Sequence, residues 1–497
     1  MPLLEFTLQK RFPAGTVCPA RERRYPVSML PVRQLDEAVG VLCLCIVSLA
    51  ALSCGGASRE SGTPPDSAET MLFEGARLIA GDGSTPLENS AVLVENGRFT
   101  RIGRKGEVEP PEGALRVELT GKTLIPALIA LHAHPGFRRN WGPDALENYT
   151  RENLLDYLNR YAYYGFGALL SLGVDFGELA FEIRDQQQTG ELGGTRLFTA
   201  GRAMGPPDAG SGNAVLRTIA YDIASEEDAR RSVRELAAKK VDFVKFYVDD
   251  RRGTAPKLRP ELYRAIIDEA HKSSLRAVAH VYSLSDAKDL ARAGADGFSH
   301  LPRDEQADDE YVALLKEHNV FVMPSLSLQD TAVTVERPAW FDEPSLRETI
   351  PAAALDRWAG SLAARDKSTL ERARRDYRNV QQGLAKLNAA GVRIVLGSDY
   401  SSLHVFGFSE HREMELMAAA GMTPAQVIVA ATRTAAEVLG LNDAGTIAPG
   451  KSADFVVLEA NPLDNIANTR RIGKVYLRGQ EVNRAALRSR WMAEPPQ

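Results

Sequence analysis

Cysteine is scarce in this 497-residue chain. There are four, Cys18, Cys43, Cys45 and Cys54, and all of them precede the first predicted strand. The body of the protein is therefore cysteine-free, which excludes both a disulfide framework and a thiolate metal site there. Charge of one sign is also in short supply. The formal net charge of -5 gives no support for a nucleic-acid partner. A membrane-spanning run is missing as well: the mostly apolar stretch 39–53 is too short for a comfortable span and has about the length of a signal-peptide core. What remains, 44% hydrophobic and 25% charged, is the composition of a globular protein, and the length leaves ample material for a large buried core.

The apolar stretch ends in Ala51-Leu52-Ser53-Cys54-Gly55-Gly56, which resembles a bacterial lipoprotein cleavage site with Cys54 as the lipidated residue. This implies export to the bacterial envelope, with attachment to a membrane only through that N-terminal lipid. Initiation at Met29 rather than Met1 would shorten the segment. Residues 55–68, rich in Gly, Ser and Pro, read as a flexible tether.

Short β-like pieces follow at 71–79, 90–95 and 98–102, separated by Gly-Asp-Gly and Glu-Asn-Gly turns, and similar pieces recur at 453–458 and 473–477. Neither flank can bury a sheet alone. The expectation is one small β-sandwich composed of residues 69–126 and 444–485, bracketing a central region at 127–443 and followed by a tail at 486–497. In the centre, continuous apolar runs at 128–134, 167–173, 196–204, 241–248, 276–282, 297–302, 320–328 and 393–400 alternate with helical stretches. Two of these helices are predicted at 225–239, opened by a Ser225-x-x-Asp228 cap, and at 259–272, with Pro260 at its start. Apolar strands alternating with helices predict an α/β fold with a (β/α)₈ TIM barrel. The longer segment from Asp330 to Lys386, with Trp340, Phe341 and Trp358, is predicted to form a lid or side wall at the barrel mouth.

Several of the predicted strands end in residues that can bind metal. Leu128-Ile129-Ala130-Leu131 leads into His132-Ala133-His134, and residues two apart on a strand share a face, so both imidazoles can reach one ion. Lys245, His280, His300 and Asp399 follow, each near a predicted strand end. Barrel enzymes carry their chemistry at those ends. Imidazole and carboxylate donors without thiolate suit Zn²⁺, with Mn²⁺ or Co²⁺ as alternatives. Tyr247 and Tyr282 lie two residues beyond Lys245 and His280, and Arg303 follows His300. Each is a candidate for binding a scissile carbonyl or a substrate carboxylate, with plain wall packing as the other reading. His404 and His411 follow Asp399 in the predicted barrel-mouth loop and are expected to have loop or helix-surface roles, with substrate contact as the other reading.

Leu124-Ile125-Pro126 before the His-x-His pair, Val241-Asp242-Phe243-Val244-Lys245-Phe246, Ala293-Gly294-Ala295-Asp296-Gly297-Phe298-Ser299-His300, Leu396-Gly397-Ser398-Asp399 and Gly445-Thr446-Ile447-Ala448-Pro449-Gly450-Lys451-Ser452-Ala453-Asp454 together resemble the metal-dependent amidohydrolase superfamily, in its imidazolonepropionase-like and prolidase-like branch. The resemblance spans about residues 70 to 485. It implies two divalent metal ions, one held by His132, His134 and Asp399 and the other by His280 and His300, with Lys245 carboxylated by CO₂ to a bridging carbamate. It also implies a bridging hydroxide that attacks a carbonyl, with Asp399 moving the proton to a leaving nitrogen.

The implied function is hydrolysis of a C–N bond in a small-molecule amide, cyclic amide or dipeptide-like substrate by a homo-oligomer. A lactonase, esterase or phosphotriesterase on the same centre is the alternative, and a non-catalytic scaffold is the alternative of another class. The sequence departs from the family pattern at Ala127 and Ala130, where Gly and Asp are usual, and in the residues after His280 and His300. A one-metal deaminase fits less well, because His280 is followed by Val281-Tyr282-Ser283-Leu284 with no Glu shuttle.

Overall fold

The computed structural model describes residues 70–493 apart from 140, 365, 367 and 400–402. The apolar stretch 39–53, Cys54 and the tether lie outside the described residues. Among those described, no helix is long and apolar enough to cross a membrane.

Two small sheets are built from the flanks. One runs in the order Arg98–Arg104, Ser90–Glu95, Met71–Glu74, Leu115–Glu118; the other Gln480–Glu481, Ile472–Leu477, Phe455–Leu458, Thr123–Pro126, Arg77–Leu78. The second joins the two ends of the described chain, with Val456 opposite Ile125 in antiparallel register. Their apolar faces meet in one core, where Phe455 stacks on Tyr476 at 4.7 Å and meets Phe73 edge-on at 5.0 Å. Such aromatic pairs add to the burial of their own surface.

The central strands are parallel and form two arcs. Leu128–Ala133, Phe166–Ser171 and Arg196–Thr199 make the first; Met204–Gly205, Phe243–Val248, Arg276–Val281, Gly297–Phe298, Phe321–Val322 and Arg393–Ile394 run through the second. Backbone hydrogen bonds join the arcs at both seams. Asp242 N–H donates to Thr199 O at 2.8 Å, while Leu131 N–H donates to Leu396 O and Asp399 N–H to His132 O, at 2.9 and 3.1 Å. The ring of strands therefore returns to its start, with helices on the outside, as a (β/α)₈ barrel requires. The helix Glu226–Ala238 opens with the expected capping box of Ser225 and Asp228, and the helix Pro260–Lys272 has proline in its first turn.

Several strands are shorter than the apolar runs suggested. The run 196–204 is two strands, broken where Gly201 takes φ 62°. The run 320–328 is a regular strand only over Phe321–Val322, with one more bond from Met323 N–H to Phe298 O at 2.9 Å, and then turns at Ser325 (φ 52°) into the helix Leu326–Val333. Of the expected tail at 486–497, residues 486–493 belong to the helix Arg484–Ala493, and the remainder lies outside the described residues. Trp491 of this helix is buried, with the Arg160 guanidinium 4.3 Å from the ring and the indole N–H donating to Asp156 at 2.7 Å.

Candidate metal centre

His132 lies on Leu128–Ala133 and His134 one residue past its end, so their side chains leave the same face. Asp399 reaches them from five residues beyond Arg393–Ile394, on a backbone in the left-handed region (φ 62°). The carboxylate sits 3.3 Å from His132 Nε2, 3.0 Å from His134 Nε2 and 3.5 Å from His300 Nε2. Ligand atoms of His132, His134 and Asp399 all lie within 4.8 Å of one another, the spacing of donors around a single ion. His300 also packs against His132 and His280, with ring centroids at 5.3 and 4.5 Å. Lys245, at the middle of Phe243–Val248, is 1% exposed and donates its Nζ hydrogen to Ser299 Oγ. All six residues line one cavity of about 350 Å³ at the carboxyl ends of the strands.

The electrostatics of the site favour neutral donors around an ionised carboxylate. Burial holds His132 and His300 well below the ordinary histidine value and brings His280 to about 4. Burial also brings Lys245 down to about 7, against the pull of Asp399. For Asp399, burial pushes up, but the electrostatic interaction with His132 and the hydrogen bond from His134 outweigh it and hold the carboxyl well below its usual range. The Nδ1 atoms of His134 and His300 are buried without a hydrogen-bond partner. Neutral imidazoles, an anionic oxygen and an amine near neutrality form a donor set that fits divalent cations.

Asp249, which sequence reasoning missed, supports His280. Its Oδ2 lies 3.2 Å from His280 Nε2. Burial raises this carboxyl, yet the hydrogen bond from His280 and the electrostatic interaction with it outweigh that push and keep Asp249 ionised. An ionised carboxylate only accepts, so Nε2 carries the proton and Nδ1 keeps its lone pair free to ligate. The signal was available: Asp249 continues the alternation Lys245, Tyr247.

The substrate candidates divide. Tyr247 and Arg303 line the cavity. Arg303 donates from Nη2 to Val281 O at 3.2 Å and leaves Nε buried without a partner. Tyr282 does not join them. The strand ends at Val281, the alternation lapses, and its hydroxyl donates to Asp376 at 3.1 Å in an adjoining cavity. Nor do His404 and His411 line the catalytic cavity. Neither is on the surface; both are buried, with His411 held between Thr469 Oγ1 at 2.9 Å and the Tyr164 carbonyl at 2.8 Å. Ser211 and Asn213, from the loop after the third strand, also line the wall, as do Leu328, Gln329 and Ala332 from the helix Leu326–Val333, the last of them within the segment expected to form a side wall. The helix Leu370–Ala389 bears on it indirectly, through Asn379 donating to Arg303 O at 2.8 Å.

A parallel barrel that gathers four histidines, an aspartate and a lysine at one end defines a protein equipped to hold divalent cations. Residues 123–482 match the amidohydrolase family, and the chain belongs to that family. It is 24% identical over 449 residues to the ochratoxinase of Aspergillus niger, covering 81% of this chain and 83% of that one. To the imidazolonepropionase of Cereibacter sphaeroides it is 26% identical over 437 residues, covering 78% and 94%. In fold it is similar to a Xaa-Pro dipeptidase crystallised with methionine in its active site, with a TM-score of 0.66 at 20% identity over 83% of this chain and 99% of that one.

Proposed function

We propose that this protein is a metal-dependent hydrolase that cleaves a C–N bond in an amide, cyclic amide or dipeptide-like small molecule. The observation that carries the proposal is the convergence of His132, His134 and Asp399 within 4.8 Å, in one cavity with Lys245, His280 and His300. The relatives named for ochratoxin, imidazolonepropionate and Xaa-Pro hydrolysis support the same bond class. His132, His134 and Asp399 would hold one divalent ion, and His280 and His300 a second. Lys245 would bridge them as a carbamate, since an ammonium cannot ligate a cation and its shift to about 7 keeps neutral amine available for CO₂. Zinc suits these donors, with manganese or cobalt as alternatives. When bound, the ions would acidify a water and polarise the scissile carbonyl.

The chain's own groups account for the rest. Asp399, ionised and central, accepts the proton released as water attacks and returns it to the leaving nitrogen. Arg303 and Tyr247 face the substrate: the unpartnered Nε of Arg303 suits a substrate carboxylate, and the Tyr247 hydroxyl suits a carbonyl oxygen. Export with lipid attachment at Cys54, and assembly into a homo-oligomer, complete the proposal. Its test is a screen of metal-loaded enzyme against N-acyl amino acids, dipeptides, hydantoin-like rings, lactones and phosphotriesters. Amides bearing a free carboxylate should show the highest kcat/KM. A lactone or phosphotriester turned over faster than every amide would contradict the bond class.

A further inference from the structure

The helix Phe408–Ala419 lies outside the catalytic cavity, yet it carries two carboxylates, Glu410 and Glu413, that are both 0% exposed. Buried carboxylates are costly unless every oxygen has a partner, and these partners lead to the metal centre. Glu413 accepts from Leu326 N–H at 2.8 Å and from Ser327 N–H at 2.6 Å. Those are the first amides of the helix Leu326–Val333, whose N-terminal residue, Ser325, has no capping side-chain bond of its own. Glu413 thus supplies the missing cap from another element, although burial pushes its carboxyl up to about 7 against the pull of the two amides. Ser325, which immediately precedes those amides, is in a left-handed conformation (φ 52°), uncommon for a residue with a Cβ.

Ser325 uses that conformation to reach His132. Its hydroxyl donates to Ser299 O at 3.1 Å and its oxygen lies 3.3 Å from His132 Nδ1. With its only hydrogen given to Ser299, the Ser325 oxygen can act toward His132 only as an acceptor. Nδ1 therefore carries the proton, and Nε2, which faces Asp399, keeps the lone pair. A second branch reaches Asp399 itself. Ser327 Oγ donates to Ser398 O at 3.0 Å, and Ser398 Oγ donates to Glu410 Oε1 at 2.9 Å. Asp399 is the next residue, again at positive φ.

We propose that the helix Phe408–Ala419 braces the ion position of His132, His134 and Asp399, with Glu413 as a positioning residue acting through Ser325 on the tautomer and aim of His132. At the other position, His280 takes its orientation from Asp249, which lies outside this brace. The inference rests on the two-ion reading above.

The experiment strips metal from full-length enzyme and titrates Zn²⁺ against a chromogenic chelator, for wild type, Glu413→Gln and Ser325→Gly. Glutamine replaces one of the two accepting oxygens with an NH₂ that can only donate, so the pairing of one amide to each oxygen is lost. Glycine tolerates the left-handed backbone and removes the hydroxymethyl group that contacts His132, so it decides the matter if the glutamine variant does not fold. One of the two Zn²⁺ affinities should weaken about 10–100-fold, the usual cost of losing an outer partner of a ligating histidine, while the other stays at the wild-type value. The visible spectrum of Co²⁺-loaded Ser325→Gly should change for one ion only. Unchanged affinities in Ser325→Gly, or equal weakening at both positions, would overturn the brace while leaving the two-ion reading intact. A wild type that binds no Zn²⁺ would remove that reading and the brace with it.

Discussion

At the scale of the residue, Lys245 shows how burial prepares chemistry. An amine 1% exposed in an apolar strand is disfavoured as a cation, and its value falls to about 7. The lowered value means that the metal-free fold binds fewer protons at this site than the unfolded chain between pH 7 and the ordinary lysine range. That contribution to stability therefore grows as pH rises through the window and is lost toward pH 7. Only the neutral amine reacts with CO₂. At fixed dissolved CO₂, reconstitution of stripped enzyme with Zn²⁺ should accelerate from pH 6 to 8 and then level off. A rate still climbing about tenfold per unit at pH 9, as for a solvent-exposed lysine, would contradict the assignment.

Residue by residue, the six candidate ligands were legible because parity along a strand and order along the barrel are local properties of sequence. Asp249 was legible in principle by the same alternation. Ser325 and Glu413 were not, because each acts through contacts between elements far apart in the chain. Tyr282 was misplaced because parity was carried one residue beyond the end of its strand.

At the scale of the element, the apolar runs located the strands but not where they end. The regular strands end at Ile394 and Val322, and only scattered backbone bonds such as Asp399 N–H to His132 O continue beyond them. The chain then spends residues such as Ser325 and Asp399 in left-handed conformations to aim side chains inward. Hydrophobicity alone cannot report this, since the residues past the ladder are as buried as those within it. The C-terminal helix was also not legible: only Trp491 among its residues is buried, too little periodicity to announce it. The paired flanks yield a test of their own. Phe455 is buried against Phe73 and Tyr476, so Phe455→Ala should cost about 3–5 kcal/mol. Chemical denaturation measures this, and the metal content of the folded fraction should be unchanged. A loss under about 1 kcal/mol would mean that the two sheets share no cooperative core.

At the scale of the whole molecule, alternation of strands and helices pointed to a parallel barrel, and the seam bonds at Thr199 and Leu396 close it. Barrel closure places residues from strands remote in sequence around one cavity, so a ligand set scattered from His132 to Asp399 can act together. The proposal for the N-terminal segment also belongs here. In a bacterial host the wild type should fractionate with membranes, and Cys54→Ser should escape lipoprotein processing, as read by metabolic labelling with a fatty acid. One acyl chain binds membranes only marginally and two or more bind stably, so complete membrane association implies several chains on that cysteine. An intact, unlabelled wild type in the cytoplasm would contradict the export proposal.

The central claim is that Lys245, the histidines and Asp399 form a two-ion hydrolytic centre. Elemental analysis of the purified protein, paired with its amidase activity before and after chelation, tests it most directly. Wild type should carry close to two divalent ions per chain and lose hydrolysis with the metal, while Lys245→Ala should retain at most one ion and almost no activity. Full activity in metal-free wild type, or in Lys245→Ala, would contradict the account.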